Sequence, residues 1–391
     1  MSKIAHTTLA EADALESALA TWRKTVEAEL KGAPFEKKLL TKTFEGITLK
    51  PLYTRADLAG RESHLAAMAK APGEAPYLRG TRAGGYAAGA WEVAQEIAAG
   101  TAEEFNSKLR EDLMGGQNAA VLRMDTPARP EGLPLEAPGT LETALKDVDL
   151  AAIPVHINAG VDATKVAAHF IALAALRGVD GSALRGSLTA DPLNVWAAAG
   201  SLPMPLPAAH EALAAWTKRA AVVSPSLRTV GVDARLWAEA GGSAVLELAC
   251  ALASVVEYVR ELRDRGVPIE IIVPRIRVTF GAGPQFLMET AKFRAWRPLL
   301  VRAVVALGGK AELAAQSAVN AATTRWDKTR LDPHVNMLRA TTEAFSAVLG
   351  GVDSLHIAPF DSLDGIGGGD AFSRRIARNV HALLAEEFGA T

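Results

Sequence analysis

From about Trp91 onward the chain alternates short strand-like runs with longer helix-like runs about eight times, and no other feature limits its fold so strongly. A strand that is followed by a helix and then by another strand is the repeating unit of a parallel α/β fold. Strand-like runs fall at residues 91–96, 119–124, 153–157, 184–188, 228–232, 276–280, 314–318 and 354–357. Between them, residues 167–173, 244–265, 285–307 and 372–388 carry apolar side chains three and four apart, as a helix resting one face on a sheet requires. Gly266 and Gly308-Gly309 stand where helices stop. Asp332 and Pro333 read as opening a further helix that Gly350-Gly351 closes, with a strand beginning near Ser354. Eight such units describe an α/β chain of the (β/α)8 TIM barrel type, with its functional loops after the strand C-termini.

Residues 1–90 do not share the alternation and read as an N-terminal helical and extended arm ahead of a barrel at residues 91–391. Residues 9–30 form one amphipathic helix with Trp22 and Val26 on its apolar side, and residues 41–54 read as a hairpin-like extended segment. Trp22, Phe44, Leu52 and Tyr53 are costly to leave in water, so the arm is expected to pack on the barrel or on a partner subunit.

Of the 391 residues 49% are hydrophobic and 22% charged, which suits a globular protein with a large core. The formal net charge is -2 and there is no basic patch, so no field draws in nucleic acid or an anionic membrane. Cys250, the single cysteine, excludes an intrachain disulfide and a multi-cysteine metal site and reads as a buried helical thiol. The first twenty residues lack the basic start and apolar core of a signal peptide, and no apolar run is long enough to span a bilayer. The expected compartment is cytoplasmic.

Few motifs carry chemistry of their own. The stretch Gly365-Ile366-Gly367-Gly368-Gly369-Asp370 has no Lys-Ser/Thr and reads as a loop at the barrel mouth, not a phosphate cradle. Ser224-Pro225-Ser226 lacks the strand-turn-helix frame of a nucleophile elbow. His156 and His356 lie on strands and are expected to be satisfied interior histidines, while Glu103-Glu104 and Glu386-Glu387 read as solvated helix faces.

Several longer stretches together point to a family. They are Pro76-Tyr77-Leu78-Arg79-Gly80 followed by Trp91, Glu239-Ala240-Gly241 through Leu246-Glu247-Leu248-Ala249, Phe286-Leu287-Met288-Glu289 through Ala295, Asp332-Pro333-His334-Val335-Asn336 through Gly350-Gly351 to Ser354-Leu355-His356, and Arg375-Ile376-Ala377-Arg378-Asn379. This set resembles the barrel domain of methylmalonyl-CoA mutase, an adenosylcobalamin enzyme. Trp22, Lys31-Gly32, the stretch Thr43-Phe44-Glu45-Gly46-Ile47, and Pro51-Leu52-Tyr53 resemble its small-subunit branch, in which a catalytic subunit pairs with a non-catalytic homologue.

What the resemblance implies about the site is mostly loss. Active mutases carry a tyrosine where this chain has Glu96, and a Tyr-His pair, whose histidine can act as a general acid, at Arg235 and Leu236. Their Q-N-D reads Thr189-Ala190-Asp191 here, and their T-H-C-Q reads Val319-Asn320-Ala321-Ala322. Positions that clamp the coenzyme A phosphates read Gly89, Glu92 and Ala94. Arg275 is retained as a match to a coenzyme A contact, and Arg275, Tyr86 and Asp191 are the candidate substrate-binding residues. Glu96, Thr189, Arg235, Leu236 and Asn320 are the degenerate active-site positions, and no catalytic residue or metal ligand is expected. The mutase's cobalamin domain, marked D-x-H-x-x-G, is not found by Thr391. The one Asp-x-His is Asp332-Pro333-His334, where His334 is expected to face a loop or solvent.

The resemblance therefore implies a non-catalytic small subunit that stabilises a homologous large subunit, or in isolation forms a homodimer. It binds no cofactor alone, adenosylcobalamin belonging to the complex with the catalytic partner. Two alternatives remain open on the residues: an acyl-CoA mutase barrel of altered specificity served by a separate cobalamin domain, and a module that binds a coenzyme A ester without turnover.

Overall fold

The computed structural model describes residues 9–124, 132–135, 137, 139–363 and 369–390. Two compact units divide the chain between Leu65 and Ala66.

In the first unit the helix Leu9–Glu29 matches the amphipathic reading. The edge of the Trp22 ring meets Phe35 at 6.1 Å between centroids, and the Arg23 guanidinium covers that same ring while pairing with Glu27 and Glu36. The hairpin is short, with Thr41 opposite Leu49 and Lys42 opposite Thr48, and Phe44 at its tip is 98% exposed.

In the second unit eight strands form one parallel sheet: β1 (Glu92–Val93), β2 (Ala120–Arg123), β3 (Val155–Asn158), β4 (Gly186–Ala190), β5 (Arg228–Asp233), β6 (Ile276–Ala282), β7 (Ala318–Thr323) and β8 (Ser354–His356). Each strand from β2 to β8 pairs with the next, and β8 pairs with β1. The sheet curls so that its ends meet through a parallel bridge between Glu96 and Val121, the TIM-like arrangement expected. Around it run α1 (Ala102–Met114), α2 (Ala163–Leu176), α3 (Leu206–Val223), α4 (Ala244–Asp264), α5 (Phe286–Ala306), α6 (Val335–Gly350) and α7 (Ala371–Ala382). Thr101, Ser243 and Asp370 cap α1, α4 and α7 by accepting from backbone N–H groups of the first turn.

Alternation along the strands sorts the side chains. Leu122, Leu188, Val230, Val278, Phe280 and Leu355 are buried in the apolar layer with residues of the helices. The alternate positions, among them Arg123, His156, Asn158, Ser187, Asp233, Arg277, Thr279 and Asn320, face the barrel axis. Branched aliphatic side chains dominate the usual barrel interior, whereas this one is filled with polar and charged groups.

Three elements depart from the sequence reading. The seventh strand begins at Ala318, not Ala314, because residues Ala311–Gln316 wind into a 3-10 turn. Its run of alanines carries little strand propensity, and pairing with β6, from Arg277 opposite Ala318 to Ala282 opposite Thr323, sets the register. The sixth helix starts at Val335, since Asp332 and Pro333 lie in a preceding turn. Asn336 holds that turn by accepting from the Thr329 N–H and donating to the carbonyls of Thr329 and Phe360. The first strand keeps only two ladder residues, because beyond Val93 the Gln95 side chain takes over the contacts with Ile357 of the neighbouring segment.

Candidate functional site

The C-terminal mouth of the barrel is closed by one ionic network. Asp233 ends β5 and Arg235 begins the helical turn that follows, so two residues of separation let the guanidinium fold back onto the carboxylate. It donates from Nε at 2.8 Å and Nη2 at 2.7 Å to the two Asp233 oxygens, a bidentate grip. Its remaining arm, Nη1, reaches Glu96 Oε1 at 2.8 Å, and the other Glu96 oxygen accepts from Arg123 at 2.6 Å. Two of the positions at which the chain departs from the active pattern are thus each other's ion-pair partners. Burial opposes the charge on Arg235, but the carboxylates of Asp233 and Glu96 outweigh it and hold the group above its ordinary range.

Asp191 braces this network from behind. Its carboxylate accepts from the Asp233 N–H at 2.7 Å, the Asn194 N–H at 3.2 Å and the Tyr258 hydroxyl at 2.6 Å. Burial nevertheless pushes it up to about 6. All three donors are protein groups that fix β5 and the helical turn after β4, so Asp191 is already engaged in structure.

Deeper in the barrel, His156 takes Glu92 at 2.8 Å on Nε2 and Ser187 at 2.9 Å on Nδ1. Burial, helped by the nearby Arg277 charge, drives the imidazole down to about 4, so it is neutral at pH 7. The serine-histidine-carboxylate line resembles a hydrolase triad in connectivity. Ser187 is buried, however, and the space it faces is a cavity of about 50 Å³, room for a few waters and none for an ester.

Behind β1 and β8 a buried chain runs from Trp91, whose indole donates to His381 Nδ1 at 2.9 Å, to Gln95 and on to His356. Burial lowers His356 to about 4 and His381 to about 3. An unfolded histidine binds its proton near 6.5, so between that value and about 3 the unfolded chain holds the extra proton, and stability is lost as pH falls through this window. His381→Gln removes that loss. Near neutral pH the variant should be about 1 kcal/mol less stable through a weakened Trp91 bond. By about pH 4.5 wild type should have lost about 2–3 kcal/mol through this histidine, closing or reversing the gap. Urea unfolding of both proteins at the two pH values checks this; a gap that does not narrow on acidification would refute it.

The three candidate substrate residues do not converge. Arg275 sits in the 3-10 turn before β6, at the opposite end of that strand from the mouth, and donates to the carbonyls of Ile271 and Pro225 at 3.0 and 3.2 Å. Tyr86 donates to the Val352 carbonyl at 2.6 Å, sets its ring against Trp91, and lines a separate cavity of about 230 Å³ with Arg79, Arg82 and Arg294. Only Asp191 lines the axial cavity.

The degenerate positions are closer together. Glu96, Thr189, Arg235 and Asn320 all line the axial cavity, and Leu236 lies half-buried on the short helix beside it. Asn320 accepts from Ser354 Oγ at 2.7 Å. Sequence reasoning missed Asp233, Arg123, Tyr258 and Arg277. The available signal was a charged residue on the inward phase of an expected strand, which Arg123 and Arg277 both satisfy.

Other readings resolve individually. His156 and His356 are satisfied interior histidines, and Ser224 caps α3. Cys250 is half-buried on α4, less enclosed than expected, because it lies beside the helix's inner stripe and not on it. The glycines from Gly365 to Gly368 lie outside the described residues.

The residues do not fit a lower cobalt ligand. His334 is exposed at the start of α6 with its ring stacked on Phe360 at 5.0 Å, and among the described residues no carboxylate or carbonyl orients its imidazole as metal-binding histidines require. Among the described residues no group of three or more His, Cys, Asp or Glu could hold a metal ion, and no helix is long and apolar enough to cross a membrane.

The family model for methylmalonyl-CoA mutase matches residues 42–391. The chain is 35% identical over 94% of its length to the methylmalonyl-CoA mutase small subunit of Streptomyces virginiae, covering 57% of that protein. It is 34% identical over 94% of its length to the small subunit of Porphyromonas gingivalis, covering 56%. The large subunit of Streptomyces virginiae is 29% identical over 95% of the chain, which covers 51% of it. The chain thus spans about half the length of the curated relatives it matches.

Proposed function

The chain belongs to the methylmalonyl-CoA mutase family, and on that premise we propose that it is the barrel portion of a non-catalytic small subunit that stabilises a homologous catalytic subunit. The observation that carries this reading is the Glu96–Arg235 ion pair at 2.8 Å across the barrel mouth. It stands where the resemblance implies a tyrosine and a Tyr-His pair. A carboxylate bound to two guanidinium groups offers no aromatic face to a radical and no neutral imidazole to a thioester carbonyl. The small axial cavity likewise leaves no path for an acyl-CoA, which argues against both alternative readings.

Adenosylcobalamin, in this reading, is held by the large subunit and supplies its radical chemistry there. The present chain contributes surface. The exposed Phe44, Leu52 and Tyr53 of the arm are apolar groups that a partner would cover, and a permanent contact of this kind buries more than about 2,000 Å². The setting is cytoplasmic.

Co-expression with a large mutase subunit tests the proposal. The two chains should co-purify, and the large subunit should show a higher melting temperature and longer-lived isomerase activity in the complex than alone. A large subunit that is equally stable and active alone, with no complex recovered, would sink it. Calorimetric titration of the isolated chain with acyl-CoA should give no heat of binding, and Arg275→Ala should change nothing.

A further inference from the structure

Two arginines share the wall of the axial cavity in opposite circumstances. Arg235 satisfies three carboxylate oxygens. Arg277, the second residue of β6, is only 8% exposed, and its guanidinium makes no hydrogen bond or ion pair with any other described residue. Glu92 and Glu96 attract it from a distance, but burial prevails and lowers its pKa to about 10.

A buried guanidinium without a partner is among the most unfavourable groups a fold can hold, and native structures supply such groups with a counter-charge or ordered water. The surroundings favour a counter-charge. Directly beside Arg277 on β5 stands Gly231, and the Thr189 side chain packs where its Cβ would lie. The cavity presents the hydroxyl of Thr279 and the amides of Asn158 and Asn320, groups able to donate to an oxyanion. The acids on the same wall, Asp191, Asp233 and Glu96, are turned to Tyr258, Arg235 and Arg123. At about 50 Å³ the space suits a ligand of a few heavy atoms and excludes a coenzyme A ester.

We infer that the barrel axis is a binding site for a small anion, an inorganic ion or a one- or two-carbon carboxylate, held by Arg277. The fold therefore keeps a ligand site inside the barrel, of a size and charge unrelated to an acyl thioester.

Melting curves of the intact chain at matched ionic strength test the site. Chloride, bicarbonate and phosphate form one arm, formate and acetate the second, and benzenesulfonate, too large to enter, the control. The small anions of at least one arm should raise Tm by about 2–4 °C at roughly ten times their Kd, and the control should not. The arm that responds at the lower concentration identifies the source. Arg277→Gln should abolish the response and Arg277→Lys should keep part of it. Crystals grown in bromide should show anomalous density beside the Arg277 guanidinium, a readout that stands even where Arg277→Gln fails to fold. Equal stabilisation by small and large anions, a response that survives in Arg277→Gln, or a cavity free of bromide would each overturn the site and leave Arg277 solvated by water.

Discussion

Replacing Arg235 with alanine should lower the unfolding free energy by about 3–5 kcal/mol, a large share of the roughly 5–15 kcal/mol that holds a typical domain together. The loss is not the strength of one contact. Arg235 links Glu96, beyond β1, to Asp233, at the end of β5, so its removal withdraws a guanidinium from two largely enclosed carboxylates at once. Much of their desolvation then goes uncompensated. Replacing both ends of one pair, as in Glu96→Gln with Arg235→Met, should cost distinctly less than the sum of the single changes, because no strong charge mismatch is left. The coupling in that double-mutant cycle should exceed about 1 kcal/mol. Urea unfolding of the four proteins measures it. A single-variant loss below about 1 kcal/mol would mean that the network does not hold the mouth closed.

The second large effect is expected at Lys292. Its ammonium, 1% exposed, donates to Glu247 at 2.6 Å, to Glu289 at 2.5 Å and to the Gly281 carbonyl at 2.7 Å, while the other Glu247 oxygen accepts from the Gly281 N–H at 2.7 Å. The cluster ties α4 and α5 to the end of β6. Even with the lysine present, burial raises Glu247 to about 7. Lys292→Met should cost about 3–5 kcal/mol near neutral pH, since two carboxylates then face each other in a dry site. The sign of the pH dependence follows. Glu247 titrates near 4.5 unfolded and still higher than about 7 once the lysine is gone, so the folded state holds the extra proton across that window. Stability of the variant should fall as pH rises from about 4.5, and acidification toward 5 should restore part of it. A variant equally destabilised at both ends of this range would contradict the explanation.

Much of the second unit could be read directly. All eight strand positions overlap those observed, the seventh at Ala318 alone, because a buried strand bounded by turn residues and followed by an apolar helical stripe leaves a pattern that needs no distant information. The seventh strand was displaced because the segment from Ala314 to Ala322 is mostly small residues, which pack equally well in a turn or a strand. Pairing with β6 decides between them, and pairing is not local. The site was legible in a different way. Glu96 and Arg235 stood out as departures from a resembled pattern, yet their separation of 139 residues hid that they touch. Lys292, Glu247 and Glu289 lay within motifs used only for the resemblance, and their convergence on Gly281 has no sequence signature.

Composition, periodicity and glycine stops by themselves determined a parallel α/β barrel, and the positions that differ from the resembled family's pattern argued against mutase chemistry in this chain. These are properties of neighbours in sequence and of residue type. Which buried charge meets which partner was decided only by the tertiary structure. Burial makes that decision consequential, since an ion in a dry interior is tolerable only when its counter-charge is within reach, and reach across a barrel depends on strands far apart in the chain. Arg235 found its counter-charges in Asp233 and Glu96, and Arg277, on the same wall, found none among the described residues.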